Sequence, residues 1–427
     1  MTMKEGMKKY YGVTFLIGLG FFTMGLMDPL YDTYIPIFLS RFVDSKGLIG
    51  IIMTLDNLFA LFLIPIVAAM SDKTRTRIGR RMPYIIVTLP LSGILFGLIP
   101  FSAFWGLTGL IIAIFFLNIF KQAARGPVVA LMPDTIPGEY RSEANGVINT
   151  MAGIAAIVGT IGLAKLMDVK INLPGRGPTD EILSFPIAGI LVIFATLILF
   201  IFVREKQRAE DTEEKIKVSE SIKLIFSGKD KSAFLILISL FLWFLGYQGI
   251  LPFIGLYSKE IIGVSSGTAG LAAGMVAISY ALFAISSGVI AHKIGRKKTI
   301  RFSLLILTIV TLMLAAHPGL SSMLEISQTT MLLSFFILLF IFGTFWVSVV
   351  TNSFPMLWQM ASYGNMGIYT GLYYTFSQAA AIAAPPVTGF IIDIFGFYGI
   401  FIFASICMFS AFLVMGRVTK GESEKKN

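Results

Sequence analysis

Along this chain of 427 residues, apolar positions run on for roughly twenty residues at a time, stop at a cluster of charge or at Pro and Gly, and begin again. A helix needs ~20 mostly apolar residues to cross ~30 Å of hydrocarbon. Runs of that kind lie near 11–38, 48–70, 83–102, 104–132, 142–167, 184–203, 231–257, 268–290, 300–316, 329–355, 365–392 and 396–417. The pattern predicts an all-α membrane protein with twelve transmembrane helices. The one long polar stretch, 204–230, alternates acid and base like a solvated helix. It divides the chain into a six-helix bundle over 1–203, a cytoplasmic linker over 204–230 and a second six-helix bundle over 231–427.

Composition sharpens this. Hydrophobic residues make up 56% and charged residues 14%, against ~45–50% and ~25% in a soluble domain. That excludes a disordered chain and a nucleic-acid-binding module, and argues against a soluble enzyme. A single cysteine, Cys407, excludes a disulfide framework or a zinc or iron–sulfur site, and His292 and His317 are the only imidazoles. No metal, cofactor or catalytic constellation is legible, and no phosphate-binding Gly-rich loop ending in Gly-Lys-Ser/Thr occurs. The expectation is not an enzyme and not an ATP-driven pump. With the N-terminus inside, the segments facing the cytoplasm hold 26 Lys and Arg and the outer ones six. This satisfies the positive-inside rule and predicts a multi-pass protein of the plasma or inner membrane with both termini cytoplasmic. The N-terminal start flows into a span too long for a signal peptide, so it is expected to be retained.

The two halves repeat each other. After the second run comes Ser71-Asp72-Lys73-Thr74-Arg75-Thr76-Arg77-Ile78-Gly79-Arg80-Arg81; after the eighth comes Gly288 to Lys298, with Ile294-Gly295-Arg296 in the same relation. Gly146-Val147-Ile148-Asn149-Thr150 parallels Gly371-Leu372-Tyr373-Tyr374-Thr375 at an offset of 225. Two parallel repeats of six helices suit a rocking transporter whose bundles close alternately around one site.

On these residues the chain resembles the major facilitator superfamily, whose loop signature Gly288 to Lys298 reproduces with His292 in place of the acid. The longer first-half copy, Ser71 to Pro83, is similar to that of the sucrose–proton symporters and the related glycoside–pentoside–hexuronide:cation symporters. So are Arg125-Gly126-Pro127 through Asp134, Trp243 through Phe253, and Tyr369 to Tyr374. Two positions depart from those branches. Val129 stands where sucrose symporters carry an arginine. Ile64 and Ala60 stand where melibiose-type symporters carry the acids of a sodium site. The resemblance implies a proton rather than sodium, a sugar as small-molecule substrate, a monomer in the lipid bilayer and no cofactor. It also implies that Asp72, with Arg75, Gly79, Arg80 and Arg81 and their second-half counterparts Gly295 and Arg296, forms a cytoplasmic gate.

Ionisable residues at membrane depth are costly and are functional candidates by default. Asp28 and Asp32 share a face at i,i+4, and Pro29 and Pro36 suggest a kinked or locally opened helix around them. On the fourth run Asn118, Lys121, Gln122 and Arg125 form one polar stripe. At ~1.5 Å per residue, Asp56 and Lys121 fall at about the same depth. Their pairing is open to two readings: part of a proton or substrate site, or a fixed ion pair locking the bundle. Asp28 has no base at its estimated height and is the expected proton carrier, ahead of Asp32 and Asp56. The second half offers no central charge but Trp243, Tyr247, Gln248, Trp346, Asn352, Tyr373 and Gln378. Aromatic faces beside amides suit a sugar, although any single one of these side chains also suits helix packing.

The expected function is therefore a proton-coupled secondary transporter of a small polar solute, a sugar or glycoside, by alternating access. An exporter or lipid-type carrier on the same fold is the alternative, and a non-transporting membrane sensor, which would bind without counterflow, is the alternative from another class.

Overall fold

A computed structural model describes residues 9–137, 140–175, 177–205, 231–360 and 366–421. Twelve long helices account for nearly all of them: α1 (Tyr11–Leu39), α2 (Lys46–Lys73), α3 (Met82–Ser102), α4 (Gly106–Thr135), α5 (Arg141–Ile157), α6 (Ser184–Phe202), α7 (Ser232–Glu260), α8 (Ser266–Ile294), α9 (Arg296–Met323), α10 (Gln328–Trp358), α11 (Met366–Phe395) and α12 (Tyr398–Gly416). Helices are the expected solution because hydrocarbon offers the backbone no partners, so each segment must satisfy its own N–H and C=O groups. Among the described residues, eleven stretches are long and apolar enough to cross a membrane, and one of these, Met82–Thr135, contains both α3 and α4. A short turn at Ala103–Trp105 and Gly106, held at φ +79°, separate the two.

The helices outrun the apolar runs where their ends are polar. The ninth run ends at 316, yet α9 extends from Arg296 to Met323, with basic residues in its first turns and His317, Ser321 and Ser322 near its end. Hydropathy marks where hydrocarbon begins; helical hydrogen bonding continues past it. After Ile157, α5 widens into a π turn over Val158–Leu163 and tightens into a 3₁₀ turn over Ala164–Asp168. A two-stranded hairpin follows, β1 (Ile171–Leu173) against β2 (Gly177–Thr179). Helix α1 stays helical through Pro29 and Pro36, so the expected local opening there does not occur.

The described helices fall into two compact units. One holds Met1–Asp44, Leu55–Asp211 and Val264–Gly274; the other holds Ser45–Thr54, Thr212–Gly263 and Met275–Asn427. In the first, α1 packs on α5 and α6, and α3 packs on α4 and α6; in the second, α7 packs on α11 and α12, and α9 packs on α10 and α12. Adding six to every helix number turns one scheme into the other, as a parallel repeat requires. The first unit's core sets Ile17 and Met24 of α1 against Ile85 and Leu89 of α3, Val128 of α4, Ile148 of α5 and Leu199 of α6. The expected 204–230 linker lies, beyond Glu205, outside the described residues.

Candidate functional site

In the first unit, α1, α2 and α4 bring their polar side chains together. A Cβ at Gly126 would lie 2.7 Å from the Ile64 carbonyl oxygen, so this position lets α4 approach α2 closely, with Gln122 one turn earlier. Lys121 is buried. Its Nζ lies 3.0 Å from Asp28 and 2.9 Å from Asp56 and sits over the Tyr31 ring, 4.5 Å from its centre. Gln122 donates to Asp56 at 2.5 Å and Asn118 donates to the Tyr31 hydroxyl at 2.8 Å. Arg125, partly exposed, lies 3.6 Å from Asp28.

The Asp56–Lys121 pair thus forms as its depth suggested, whereas the expectation that Asp28 has no base at its level is corrected. Asp28 meets Lys121 and Arg125, because long basic side chains on α4 span more than one helical turn of depth and a count of ~1.5 Å per residue locates backbones, not charged heads. Asp32 is the carboxylate left over. Among the described residues it makes no hydrogen bond or ion pair, although it lies within electrostatic reach of Asp28, Asp56, Lys121 and Arg125. Three carboxylates face two cations, so one proton would neutralise the group. The buried oxygens of the Asn118 and Gln122 amides accept nothing among the described residues.

Where α2 ends and α3 begins, a second network closes. Asp134 takes Arg80 in a two-pronged contact at 2.6 and 3.0 Å and accepts from Arg81 at 2.9 Å. Arg81 also reaches Asp72, Ser71 and the Ala68 carbonyl. Glu205 accepts from the backbone N–H groups of Arg81 and Met82, beside Gly79 at φ +110°. The Asp134 hydrogen bonds hold the Arg80 guanidinium above its ordinary range. Asp72 therefore meets the neighbouring arginines. Arg75 stands outside the knot, donating to the carbonyls of Asp72 and Thr74. Asp134 and Glu205 were missed as members, because they lie 53 and 124 residues from Arg81. In the second unit the equivalent basic loop acts differently. Lys297 donates to the Gly416 and Val418 carbonyls at the end of α12, and Gly295 takes φ +102° just before Arg296 opens α9.

The second unit holds a cavity of about 390 Å³. Gln248, Gln378 and Ser377 give it polar groups; Phe244, Phe354, Tyr373, Tyr374 and Val350 supply the rest of its wall. Tyr373 meets Phe354 edge-on, 4.4 Å between ring centres, and Phe244 meets Trp346 the same way at 5.4 Å. Trp346 in turn stacks on Tyr247 at 4.0 Å. Of the residues expected here, Gln248, Tyr373 and Gln378 line the cavity, and Tyr247 and Trp346 buttress it through Phe244. Trp243 is fully buried on α7, and Asn352 is buried, donating to Ser287 and to the Ser348 carbonyl; neither is among the residues that line the cavity. Phe244 and Phe354 were not legible as lining residues, because a phenyl ring within an apolar span reads as packing. Phe244 lies four residues before Gln248 on the same face of α7, whereas Phe354 of α10 meets Tyr373 of α11 only in the fold.

The sequence pattern of the Major Facilitator Superfamily matches residues 13–384 and 252–427. The chain is 26% identical over 323 residues to the class H tetracycline resistance protein of Pasteurella multocida, covering 71% of each. It is 23% identical over 308 residues to the multi-drug resistance efflux pump PmrA homolog of Lactococcus lactis subsp. lactis (strain IL1403), covering 70% of this chain and 71% of that one. Among solved structures it is similar to a D-xylose–proton symporter, with a TM-score of 0.71, 15% identity, and coverage of 96% of this chain and 98% of that one.

Proposed function

The chain belongs to the Major Facilitator Superfamily, a family of multi-pass membrane transporters and not of enzymes. From that premise we propose that it couples a proton to the movement of a small polar solute, a sugar or glycoside, by alternating access. The observation that carries this reading is the group around buried Lys121 on α1, α2 and α4, whose partly buried carboxylates outnumber its cations by one. A symporter needs a group that is charged in one half of its cycle and neutral in the other. Asp32 meets that need, since Asp28 and Asp56 are already paired. Lys121 stands between two carboxylates where a metal cation would have to bind, which favours a proton over sodium.

The cavity in the second unit supports a neutral solute. None of its lining residues is acidic or basic, so a charged ligand would lose its hydration there without gaining a partner. Ring faces at Phe244, Phe354 and Tyr374 suit the C–H faces of a pyranose, and the amides of Gln248 and Gln378 suit its hydroxyls. The knot of Asp72, Arg80, Arg81, Asp134 and Glu205 is the proposed gate on the cytoplasmic side, with both termini on that side by the distribution of basic residues.

A second reading, export of a flat amphipathic compound, is favoured by the two efflux proteins similar to this chain. Competition in proteoliposomes separates the two. Unlabelled disaccharides and aryl glycosides should inhibit counterflow of a labelled sugar. Gln248→Ala and Gln378→Ala should each raise its KM up to about tenfold, the effect of one or two lost hydrogen bonds. Counterflow of tetracycline that no sugar inhibits would transfer the assignment to export.

A further inference from the structure

Two aspartates in equivalent positions of the repeat hold the first turns of two long helices. Asp393, near the end of α11, accepts from the Ser45 hydroxyl at 2.6 Å and from the backbone N–H groups of Lys46 and Gly47 at 2.6 and 2.9 Å, where α2 begins. Asp168, at the end of the turn that follows α5, accepts from the Ser265 hydroxyl at 2.7 Å and from the Gly267 N–H at 2.8 Å, where α8 begins. Each serine also accepts the N–H three residues on, from Leu48 at 3.3 Å and from Thr268 at 3.2 Å. The aspartates are 225 residues apart, the offset that relates Gly146 to Gly371. Both helix starts read Ser-x-Gly-x-x-Gly: Ser45, Gly47 and Gly50 in one, Ser265, Gly267 and Gly270 in the other.

These glycines permit very close contact. A Cβ at Gly50 would lie 2.2 Å from the Pro385 carbonyl oxygen, and one at Gly270 would lie 2.8 Å from Ala164 Cβ. The segments so held are the ones that part from the rest of their own helices. Ser45–Thr54 falls in the unit of α7 and α9–α12, and Val264–Gly274 in the unit of α1 and α3–α6, whereas the remainder of α2 and of α8 falls in the other unit. Helices α2 and α8 are also the least embedded: 11% and 17% of their apolar windows are buried, against 33–50% for the other spans.

We infer that Asp168 and Asp393 are a matched pair of latches, each holding the first turns of a helix from one half of the chain against helices of the other half, and that both must release when the transporter changes state. A carboxylate is suited to this because the N–H groups of a first helical turn have no partners within the helix. It completes them while the latch is closed, and water can replace it when the latch opens. The Ser-x-Gly start lets the acid reach two donors at once.

The latch role rests on the transporter reading, but its test needs no substrate. Deuterium uptake is measured on the full-length protein in detergent micelles, over peptides covering 45–54 and 265–274. Asp393→Ala should speed exchange at 45–54 by about fivefold, the effect of one lost helix cap, and leave 265–274 unchanged. Asp168→Ala should do the reverse. In a Cys407→Ala background, a cysteine at Thr54 should react faster with an impermeant maleimide only when both latches are removed. Asp393→Asn and Asp168→Asn, which keep an acceptor oxygen, should lie between wild type and Ala, and they provide the same comparison if the Ala variants do not fold. Exchange that is unchanged at both segments, or raised equally in every peptide, overturns the latch assignment. In that event sugar counterflow, measured separately, would still stand or fall as the test of transport.

Discussion

Asp32→Asn abolishes accumulation driven by a pH gradient, yet leaves exchange of substrate down its own gradient. The amide fills the same space as the carboxyl and mimics its protonated form, so the helices around it still pack while the group can no longer gain or lose a proton. Loss of the excess carboxylate leaves Asp28 and Asp56 balanced by Lys121 and Arg125, a group with no remaining need for a proton. The measurement is uptake of labelled sugar into proteoliposomes with and without an imposed gradient. Asp32→Asn should show the same plateau in both conditions, set by the substrate alone. Asp28→Asn should instead impair both modes, because it removes the partner of two cations. If Asp28→Asn were the variant that separated the two modes, the coupling role would return to Asp28.

Lys121→Met has the largest expected effect on the folded protein. Its ammonium is 2% exposed and bridges Asp28 and Asp56. Breaking a buried ion pair by removing one partner costs about 3–5 kcal/mol; here Asp56 would lose its cation and keep only the Gln122 amide, while Asp28 would keep Arg125. The expected result is a lower melting temperature in detergent and little protein in the membrane. Adding Asp28→Asn and Asp56→Asn to Lys121→Met should recover much of that stability without restoring gradient-driven accumulation. Lys121→Met that is as stable as the wild type would show the cluster to be hydrated, and the ion pairs then would not lock α1, α2 and α4.

The fold was legible because hydrocarbon imposes one solution on a long apolar run, and the repeat was legible because both halves keep their loop signatures. Helix ends were less so: the polar turns of α9 continue helical hydrogen bonding beyond the apolar limit that a hydropathy reading detects. Asp56 and Lys121, at about the same depth by residue count, do meet at 2.9 Å. Asp28–Lys121 was not legible that way, because a lysine head reaches beyond its own backbone level. Asp134, Glu205, Asp168 and Asp393 were invisible in sequence as partners. Each sits near the end of a helix, where an acid reads as ordinary surface charge, and each acquires its role only when a chain segment more than fifty residues away comes to meet it.

One measurement tests the proposed coupling most directly: wild-type protein in liposomes, given labelled mono- and disaccharides with an inward proton gradient, with no gradient, and with an imposed sodium gradient in its place. Proton-coupled symport predicts accumulation of at least one sugar above its external concentration under the proton gradient alone, with alkalinisation of the medium as the sugar enters. Uptake that follows sodium and ignores pH, or sugar movement that is indifferent to both, would contradict it.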